Sequence, residues 1–200
     1  MAELLADGVV VASSNQAKIG EIRRIVGSAL GALVGQNELG IKSPPEPHAS
    51  FVENALAKAR HASASAGRPA LADDSGLCVE ALAGAPGVRS ARFAGESAAD
   101  SDNNRLLLEM LSGNNDRRAH YYCALVLCTA ADDPSPIIAQ GRWQGRIAEH
   151  PRGDGGFGYD PLFELADGRT AAELAPAEKD DISHRGSALR ALADQLAQLQ

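Results

Sequence analysis

The sequence is poor in cysteine, in aromatic residues and in basic charge, and each shortage excludes a class of protein. Its 200 residues include 3 cysteines and 4% aromatics, with a net charge of −7. Cys78, Cys123 and Cys128 form no CxxC pair, so neither a disulfide framework nor a zinc knuckle is indicated, and reduced thiols suit the cytoplasm. The acidic balance argues against nucleic acid as a partner, since a nucleic-acid binder normally presents a basic face.

Long apolar runs are also missing. No run approaches the roughly 18 residues that a membrane helix needs, and the N-terminus lacks the features of a signal peptide. We therefore expect a cytoplasmic protein that does not act at a membrane. A hydrophobic fraction of 44% and a charged fraction of 22% are typical of a globular protein. Because aromatics are few, we expect an aliphatic core in one domain, residues 1–200, built as one body or two small lobes.

Apolar runs and helical patterns alternate in the first half of the chain. Residues 9–12 predict a buried strand, followed by a polar turn and a helix to about Val26. A second helix is expected after Ser50, where Ser50 and Glu53 have capping-box spacing. Residues 70–72 predict another short strand, with Asp73-Asp74-Ser75-Gly76 at its end, and residues 77–82 are a candidate for a further extended segment.

The second half favours strands that pair along the chain. Ser101 is expected to cap a helix, residues 120–129 and 137–148 read as an antiparallel hairpin, and Ser183 is expected to cap a final helix. Residues 153–160 form a glycine-dense loop. This mixture predicts an α/β or α+β fold with a mixed sheet.

The first candidate site is the turn from the first strand into the first helix. Ser13, Ser14 and Asn15 stand at the helix start, where free backbone N–H groups can bind an anion. Lys18 lies in the first helical turn, where a cation opposes the helix dipole unless an anion is held nearby. A solvated lysine beside an ordinary cap is the simpler interpretation, and no P-loop motif is present.

The adjacent carboxylates of Asp73 and Asp74 form a second candidate site. Their repulsion would be relieved by Mg²⁺, which prefers hard oxygen ligands. On an extended strand the two side chains point to opposite faces, so only one would be a direct ligand or base and the other a supporting residue. An Asx turn or a cap at the strand end is the simpler interpretation of the pair taken alone. Glu46 lies in a proline-rich loop and could add a carboxylate, whereas Glu53 is explained equally well by the capping box.

Two further candidate sites lie near the end of the chain. In the glycine-dense loop, Phe157 offers a stacking face for a base, and glycines let the backbone approach a planar ligand. Lys179 and Arg185 suggest cations gathered at a helix start, suited to phosphate or to a carbonyl-bearing base. His184 alone is more often a structural histidine. Together these features indicate an enzyme that acts on a nucleotide or sugar phosphate, without identifying the bond that is cleaved.

Six motifs in order resemble one family. They are Ser13-x-Asn15-x-x-Lys18-x-x-Glu21, Phe51-Val52-Glu53-Asn54-Ala55, the segment 71–77, the segment 84–92, Gly155-Gly156-Phe157-Gly158-Tyr159-Asp160-Pro161 and Ser183-His184-Arg185-Gly186. The chain is similar in these motifs to the noncanonical purine NTP pyrophosphatases, also called dITP/XTP or inosine triphosphate pyrophosphatases. The resemblance implies a two-lobed α/β fold with a long central mixed sheet flanked by helices, an active-site cleft between the lobes, a homodimer and Mg²⁺.

The resemblance also implies an activity and a set of site residues. The activity is hydrolysis of ITP, dITP and XTP to the monophosphate and pyrophosphate. Asp74 matches the catalytic acceptor and metal ligand, and Glu46 the second metal carboxylate. The remaining matches are substrate contacts, namely Ser13, Ser14, Asn15, Lys18, Ser75, Phe157, Gly158, Tyr159, Asp160, Lys179, His184 and Arg185. Ser14 stands where bacterial members often have glycine. Two alternatives stay open, a pyrophosphatase for pyrimidine or modified nucleotides and a nucleotide sensor without catalysis.

Overall fold

The computed structural model describes residues 8–199, apart from the side chains of residues 27–29. Helices and strands alternate through the first half, as the apolar patterns predict. The α-helices in this part of the chain are α1 (Gln16–Leu30), α2 (Phe51–Ala66), α3 (Asp100–Met110), α4 (Pro176–Ile182) and α5 (His184–Gln198). The strands are β1 (Val9–Val11), β2 (Leu33–Gly35), β3 (Ala70–Val79), β4 (Arg118–Cys128), β5 (Ile137–Ile147) and β6 (Phe163–Glu164).

The strands form one six-stranded mixed sheet in the order β2-β1-β3-β4-β5-β6. Its first strands are parallel, with Val10 of β1 opposite Val34 on one side and Ala70 on the other. Its last pair is antiparallel, with Ile147 opposite Phe163. The predicted α/β fold with a mixed sheet is therefore confirmed, and β4 and β5 are neighbours as the hairpin pattern indicated.

The length of β3 differs from the prediction, because the segment Asp73-Asp74-Ser75-Gly76 lies within the strand rather than at its end. Gly76 explains the difference. A side chain at this position would overlap the Ser90 hydroxyl and the Gly87 carbonyl. The next residue, Leu77, donates from its backbone N to Ser90 Oγ at 2.9 Å. This close tertiary packing keeps the strand extended through residues that local propensity would place in a turn.

The helix starts follow from short-range polar contacts. Asn15 Oδ1 caps α1, and Ser50 Oγ caps α2 by accepting from Glu53 N at 3.3 Å. The expectation that Ser101 caps the next helix is wrong. α3 begins at Asp100, two residues before a helix capped by Ser101 would begin, and Asp102 accepts a hydrogen bond from Ala99 N at 3.2 Å. No helix within residues 8–199 combines the length and the apolar character needed to cross a membrane.

The chain divides into two compact units, each with a core of its own. Unit 1 contains the described residues 8–74, 123–141 and 185–199, and unit 2 contains residues 75–122 and 142–184. The core of unit 1 is aliphatic, as expected. Unit 2 differs from that expectation, since its core gathers Tyr121, Trp143, Tyr159 and Phe163. The few aromatic residues are thus concentrated in one of the two cores.

Candidate active site

A buried ionic cluster surrounds Asp73 in unit 1. Lys18 Nζ lies 2.5 Å from Asp73 Oδ1, and Arg185 Nε donates to Oδ2 at 2.9 Å. Arg185 also pairs with Glu21, while Cys123 donates its S–H to Asp73 Oδ2 at 3.1 Å. The Asp73 carboxylate therefore supplies the negative charge that offsets the unfavourable interaction of Lys18 with the helix dipole.

The charge state of this cluster follows from its partners. Burial alone would raise the pKa of Asp73, but Arg185 and Lys18 outweigh burial and hold that pKa well below its ordinary value. Burial beside the Asp73 carboxylate raises the pKa of Cys123 well above its usual range, so this residue stays a thiol and a donor. Asp73 is thus an ionised anchor for two cations.

A second cluster in unit 1 joins Asp74 to Glu46 through a lysine. Lys58 Nζ donates to Asp74 Oδ1 at 2.8 Å and to Glu46 Oε1 at 2.9 Å. Asp74 Oδ2 is buried and accepts no hydrogen bond from the described residues. A buried acceptor without a partner costs about 1–3 kcal/mol. Asp74 therefore has one oxygen held in place and one available to a ligand.

The protonation equilibria of this cluster differ from those around Asp73. Burial raises the pKa of Asp74 above its ordinary value, and the attraction to Lys58 offsets this effect only in part. Burial alone would lower the pKa of Lys58, but Asp74 and Glu46 outweigh burial and raise it. Asp74 is consequently the more basic of the two adjacent carboxylates. The two adjacent carboxylates thus have different partners, since Asp73 pairs with Lys18 and Arg185 while Asp74 pairs with Lys58.

The carboxylates of Glu46 and Asp74 fit a hard divalent cation. No group of three or more acidic, histidine or cysteine side chains within residues 8–199 is arranged to hold a metal. A pair of carboxylates is nevertheless what Mg²⁺ uses when substrate phosphates and waters complete its coordination. The two side chains converge on one Lys58 ammonium group, and Asp74 Oδ2 lacks a partner among the described residues. The donor set and the unpartnered oxygen are compatible with Mg²⁺.

The turn before α1 is organised by its own side chains. Asn15 Oδ1 accepts from the backbone N of Ala17 at 3.0 Å and of Lys18 at 3.2 Å, and Ser13 Oγ accepts from Asn15 N at 3.1 Å. These N–H groups, which were expected to bind an anion, are engaged in capping. Ser14 is exposed. The turn thus presents Ser14 and the flank of Lys18 to solvent.

In unit 2, Asp160 organises the glycine-dense loop. Its carboxylate accepts from Lys179 Nζ at 2.6 Å, from Phe157 N at 2.8 Å and from the Tyr121 hydroxyl at 3.3 Å. Lys179 Nζ also lies 4.8 Å from the centre of the Phe157 ring, a cation–π contact. Gly156 is required here, because its φ is +73° and a side chain would overlap the Asp160 carboxylate.

Of the predicted residues near the last helices, Lys179 is placed differently from the expectation, whereas His184 lies at a helix start as expected. Lys179 belongs to α4, so it does not lie at the start of the final helix with Arg185. His184, the first residue of α5, stacks on Tyr121 with ring centres 4.6 Å apart and planes 7° apart. Burial near Asp160 raises the pKa of Tyr121 well above its usual range, so the phenol stays neutral.

The residues predicted in or beside the loop lie at different depths of unit 2. Tyr159 and Asp160 are buried, whereas Phe157 and Gly158 are half-buried. Tyr159 donates from its hydroxyl to Ser90 O at 2.9 Å. Ser75 is half-buried in β3. A planar ligand could therefore reach the Phe157 ring while Tyr159 serves as an internal support.

Sequence reasoning missed two residues that the structure brings to these clusters. Lys58 was one, although a signal existed, because it stands among Ala55, Ala59 and Ala62 on the buried face of α2. A lysine on an apolar helix face is unusual and indicates a buried anionic partner. Tyr121 was the other. The position of Tyr121 in the alternating pattern of β4 predicts that its side chain is buried. The pattern gives no indication that Tyr121 contacts Asp160.

Known proteins match this fold over nearly the whole chain. A protein of Nitrosomonas europaea called dITP/XTP pyrophosphatase is 54% identical over 191 residues, covering 95% of this chain and 94% of the relative. One of Burkholderia pseudomallei with the same name is 55% identical, covering 96% of this chain and 94% of the relative. The solved structure of a HAM1 protein from Coxiella burnetii has a TM-score of 0.88 at 45% identity, covering 95% of this chain and 98% of that one.

The mixed sheet and the buried carboxylate–cation clusters, together with these relatives, define the chain as an α/β enzyme. A sequence model of the Ham1 family matches residues 9–195. The chain belongs to the Ham1 family.

Proposed function

We propose that this protein hydrolyses noncanonical purine nucleoside triphosphates, namely dITP, ITP and XTP, to the monophosphate and pyrophosphate. This removes them from the nucleotide pool before a polymerase can use them. Membership of the Ham1 family and the names of the relatives support the substrate class. One observation carries the chemistry, which is the Asp74 carboxylate with one oxygen fixed by Lys58 and the other without a partner in the described part of the chain.

Asp74 is the proposed proton acceptor. Water attacks the α-phosphorus in line with the oxygen that bridges the α and β phosphates, and that P–O bond breaks. The proton of the water passes to Asp74, whose Oδ1 is held by Lys58 and whose Oδ2 has no partner among the described residues. The products are the nucleoside monophosphate and pyrophosphate. Asp73, with its lowered pKa, remains ionised and supports Lys18 and Arg185.

Mg²⁺ is the proposed cofactor, with Glu46 and Asp74 as its protein ligands. When bound, it supplies neutralisation of the charge that develops on the phosphate oxygens. Lys58 lies between the same carboxylates and keeps them together before a metal arrives. The Lys58 ammonium group also places a positive charge in the region proposed to bind the triphosphate.

The turn before α1 is the proposed phosphate-binding segment. Lys18 uses one of its three N–H donors on Asp73, which leaves others for a phosphate oxygen. Ser13, Ser14 and Asn15 stand at the same helix start, whose dipole favours an anion. We assign these residues to stabilising the departing pyrophosphate by position and charge.

Base and ribose recognition is assigned to residues of the glycine-dense loop and its neighbours. The phosphates of all purine nucleotides are alike, so selection against ATP has to come from the base. A site that donates to a 6-oxo group leaves a donor unpaired against a 6-amino group, which discriminates strongly. The proposed contacts are Ser75, Phe157, Gly158, Tyr159, Asp160, Lys179 and His184, with Arg185 included on the strength of the sequence resemblance.

The setting of the enzyme is part of the proposal. We infer that it works in the cytoplasm, where Cys78, Cys123 and Cys128 stay reduced, as their free thiols suggest. We also propose one catalytic domain spanning residues 1–200, a homodimeric assembly and no nucleic-acid partner. The expected cleft remains part of this proposal.

A panel of nucleoside triphosphates with pyrophosphate readout tests the substrate class. We expect dITP, ITP and XTP to be hydrolysed much faster than dATP, dGTP and dTTP. Faster turnover of dTTP would favour a pyrimidine nucleotide enzyme, and binding of dITP without release of pyrophosphate would favour a sensor. Activity should require added Mg²⁺, so full activity in excess EDTA would contradict the cofactor.

Asp74→Asn tests the mechanism. We expect loss of turnover with dITP binding largely retained, because the amide cannot accept the proton. Asp132→Asn, at an exposed position of unit 1, is the matched control and should keep wild-type activity. Undiminished hydrolysis in Asp74→Asn would remove this residue from the mechanism.

A further inference from the structure

Helix α3 holds the backbone of Gly158 on both sides of its Cα. The Gly158 N–H donates to Asp100 Oδ2 at 2.6 Å, and the Gly158 carbonyl accepts from Asn104 Nδ2 at 2.9 Å. Asp100 and Asn104 are four residues apart, so they lie on one face of the helix. All three residues belong to unit 2. We call Asp100 and Asn104 the α3 clamp.

The clamp acts on the segment proposed to bind the base. Gly158 has a φ of +64° and stands between Phe157 and Tyr159. The preceding N–H, of Phe157, is bonded to Asp160, and the Tyr159 hydroxyl is bonded to Ser90. The two hydrogen bonds from α3 therefore fix the peptide groups on either side of the Gly158 Cα, and with them the backbone next to the Phe157 ring.

Helix α3 is itself well placed to act as a rigid support. Asn103 Oδ1 accepts from Ala94 N at 2.8 Å, and Asn103 Nδ2 donates to Ala91 O at 3.2 Å, which ties the helix to the segment before it. Asn104 Oδ1 is buried and accepts no hydrogen bond from the described residues. The unsatisfied Asn104 oxygen destabilises the folded state. The hydrogen bond from Asn104 to Gly158 offsets part of this free-energy cost.

We propose that Asp100 and Asn104 are positioning residues for purine recognition, which hold the Phe157–Tyr159 backbone in the conformation that receives the base. The inference rests on the proposed function. Neither residue needs to touch the substrate. A loop already ordered before binding loses less conformational freedom when the base arrives, so the clamp contributes to affinity rather than to the chemical step.

Steady-state kinetics with dITP provides the first test. We expect Asp100→Ala to raise KM about tenfold, which corresponds to the loss of one charge-assisted hydrogen bond, with kcat changed less than about twofold. Asn104→Ala should raise KM by a smaller factor. Asp100→Asn keeps an acceptor oxygen and should recover most of the wild-type KM. Glu109→Ala is the control, because Glu109 is exposed on the same helix and pairs with Arg105.

Inorganic triphosphate separates positioning of the base from general damage, because it has phosphates but no base. Its inhibition constant should be unchanged in both clamp variants. Hydrogen exchange of the peptide that contains residues 153–160 should be faster in both variants and unchanged in Glu109→Ala. This exchange measurement does not depend on turnover.

Each outcome decides the inference. An unchanged KM for dITP in both clamp variants would overturn it, whether or not exchange becomes faster. Equal weakening of dITP and inorganic triphosphate would also overturn it, because the damage would then extend beyond the base. If the wild-type protein hydrolyses no purine nucleoside triphosphate, the proposed function fails and the inference fails with it. Wild-type turnover with unaltered variants would overturn the inference alone.

Discussion

Lys58 donates to Asp74 Oδ1 at 2.8 Å, and this bond leaves Asp74 Oδ2 as the oxygen without a partner in the described part of the chain. The same ammonium group reaches Glu46 at 2.9 Å. The lysine is therefore an internal cation between the two carboxylates proposed to bind Mg²⁺. Removing it would leave these two neighbouring acidic groups without the cation that lies between them.

The first prediction concerns Lys58→Met, which keeps the length of the side chain but removes its charge. The variant should be less stable than the wild type without metal, because the repulsion between Asp74 and Glu46 is no longer offset. Mg²⁺ should raise the Tm of the variant more than that of the wild type, since a ligand that binds the folded state more tightly stabilises it more. Differential scanning fluorimetry with MgCl2 and with EDTA measures both shifts.

Lys42→Met is the control for this prediction, because Lys42 is exposed in the same unit. Its response to Mg²⁺ should equal that of the wild type. Sodium chloride at matched ionic strength should not reproduce the effect in Lys58→Met. Equal Mg²⁺ shifts in all three proteins would show that Lys58 does not lie in a metal site.

The second prediction concerns Asp73→Asn and its dependence on pH. The substitution leaves the buried Arg185 guanidinium with one carboxylate fewer, and we expect a loss of about 3–5 kcal/mol of unfolding free energy at neutral pH. Because folding lowers the pKa of Asp73, its contribution is present above the unfolded pKa of about 3.9 and is lost as the pH falls through the folded pKa.

Urea denaturation at a series of pH values measures this difference. The gap between the wild type and Asp73→Asn should be constant near neutral pH and should shrink below about pH 4. The exposed substitution Asp132→Asn should change stability by less than about 0.5 kcal/mol throughout. A gap that widens in acid would be inconsistent with an ionised, buried Asp73.

The third prediction compares two glycines with positive φ. Gly156 has a φ of +73° and packs against the Asp160 carboxylate, while Gly168 has a φ of +86° and open space around it. Alanine at either position incurs the left-handed penalty of about 1–2 kcal/mol. Gly156→Ala should lose about 1–3 kcal/mol more through overlap and should raise KM for dITP. Equal stability losses in the two variants would argue against the packing role.

The fourth prediction concerns Tyr121→Phe at alkaline pH. Burial and Asp160 raise the pKa of Tyr121, so its neutral form stabilises the fold below the unfolded pKa of about 10, and this contribution is lost as the pH rises. The variant should be about 1 kcal/mol less stable at pH 7, because it lacks the hydrogen bond to Asp160. The difference in stability between the variant and the wild type should narrow above about pH 10. In an alkaline titration followed by tyrosinate absorbance, the variant should lack one tyrosine that ionises at unusually high pH.

The comparison of sequence and structure is clearest at the caps and at β3. Ser50 and Glu53 are three residues apart, and their contact is decided by that spacing, so the start of α2 was predictable. The extent of β3 was not, because Gly76 continues the strand only where Ser90 and Gly87 pack against it. The placement of Lys179 in α4 was missed because its helix has only seven residues.

The sequence by itself determined the mixed sheet with its early alternation of strands and helices, and the six motifs that indicate the family. These depend on local periodicity, strand alternation and residue order, which are readable along the chain. Only the tertiary structure decided which cation meets which carboxylate. Lys58 with Asp74, Arg185 with Asp73, and Asp100 with Gly158 are separated by 16, 112 and 58 positions. Contacts over such distances arise from folding. A lysine on a buried helix face, such as Lys58, indicates that an anionic partner exists, but the local sequence does not identify that partner.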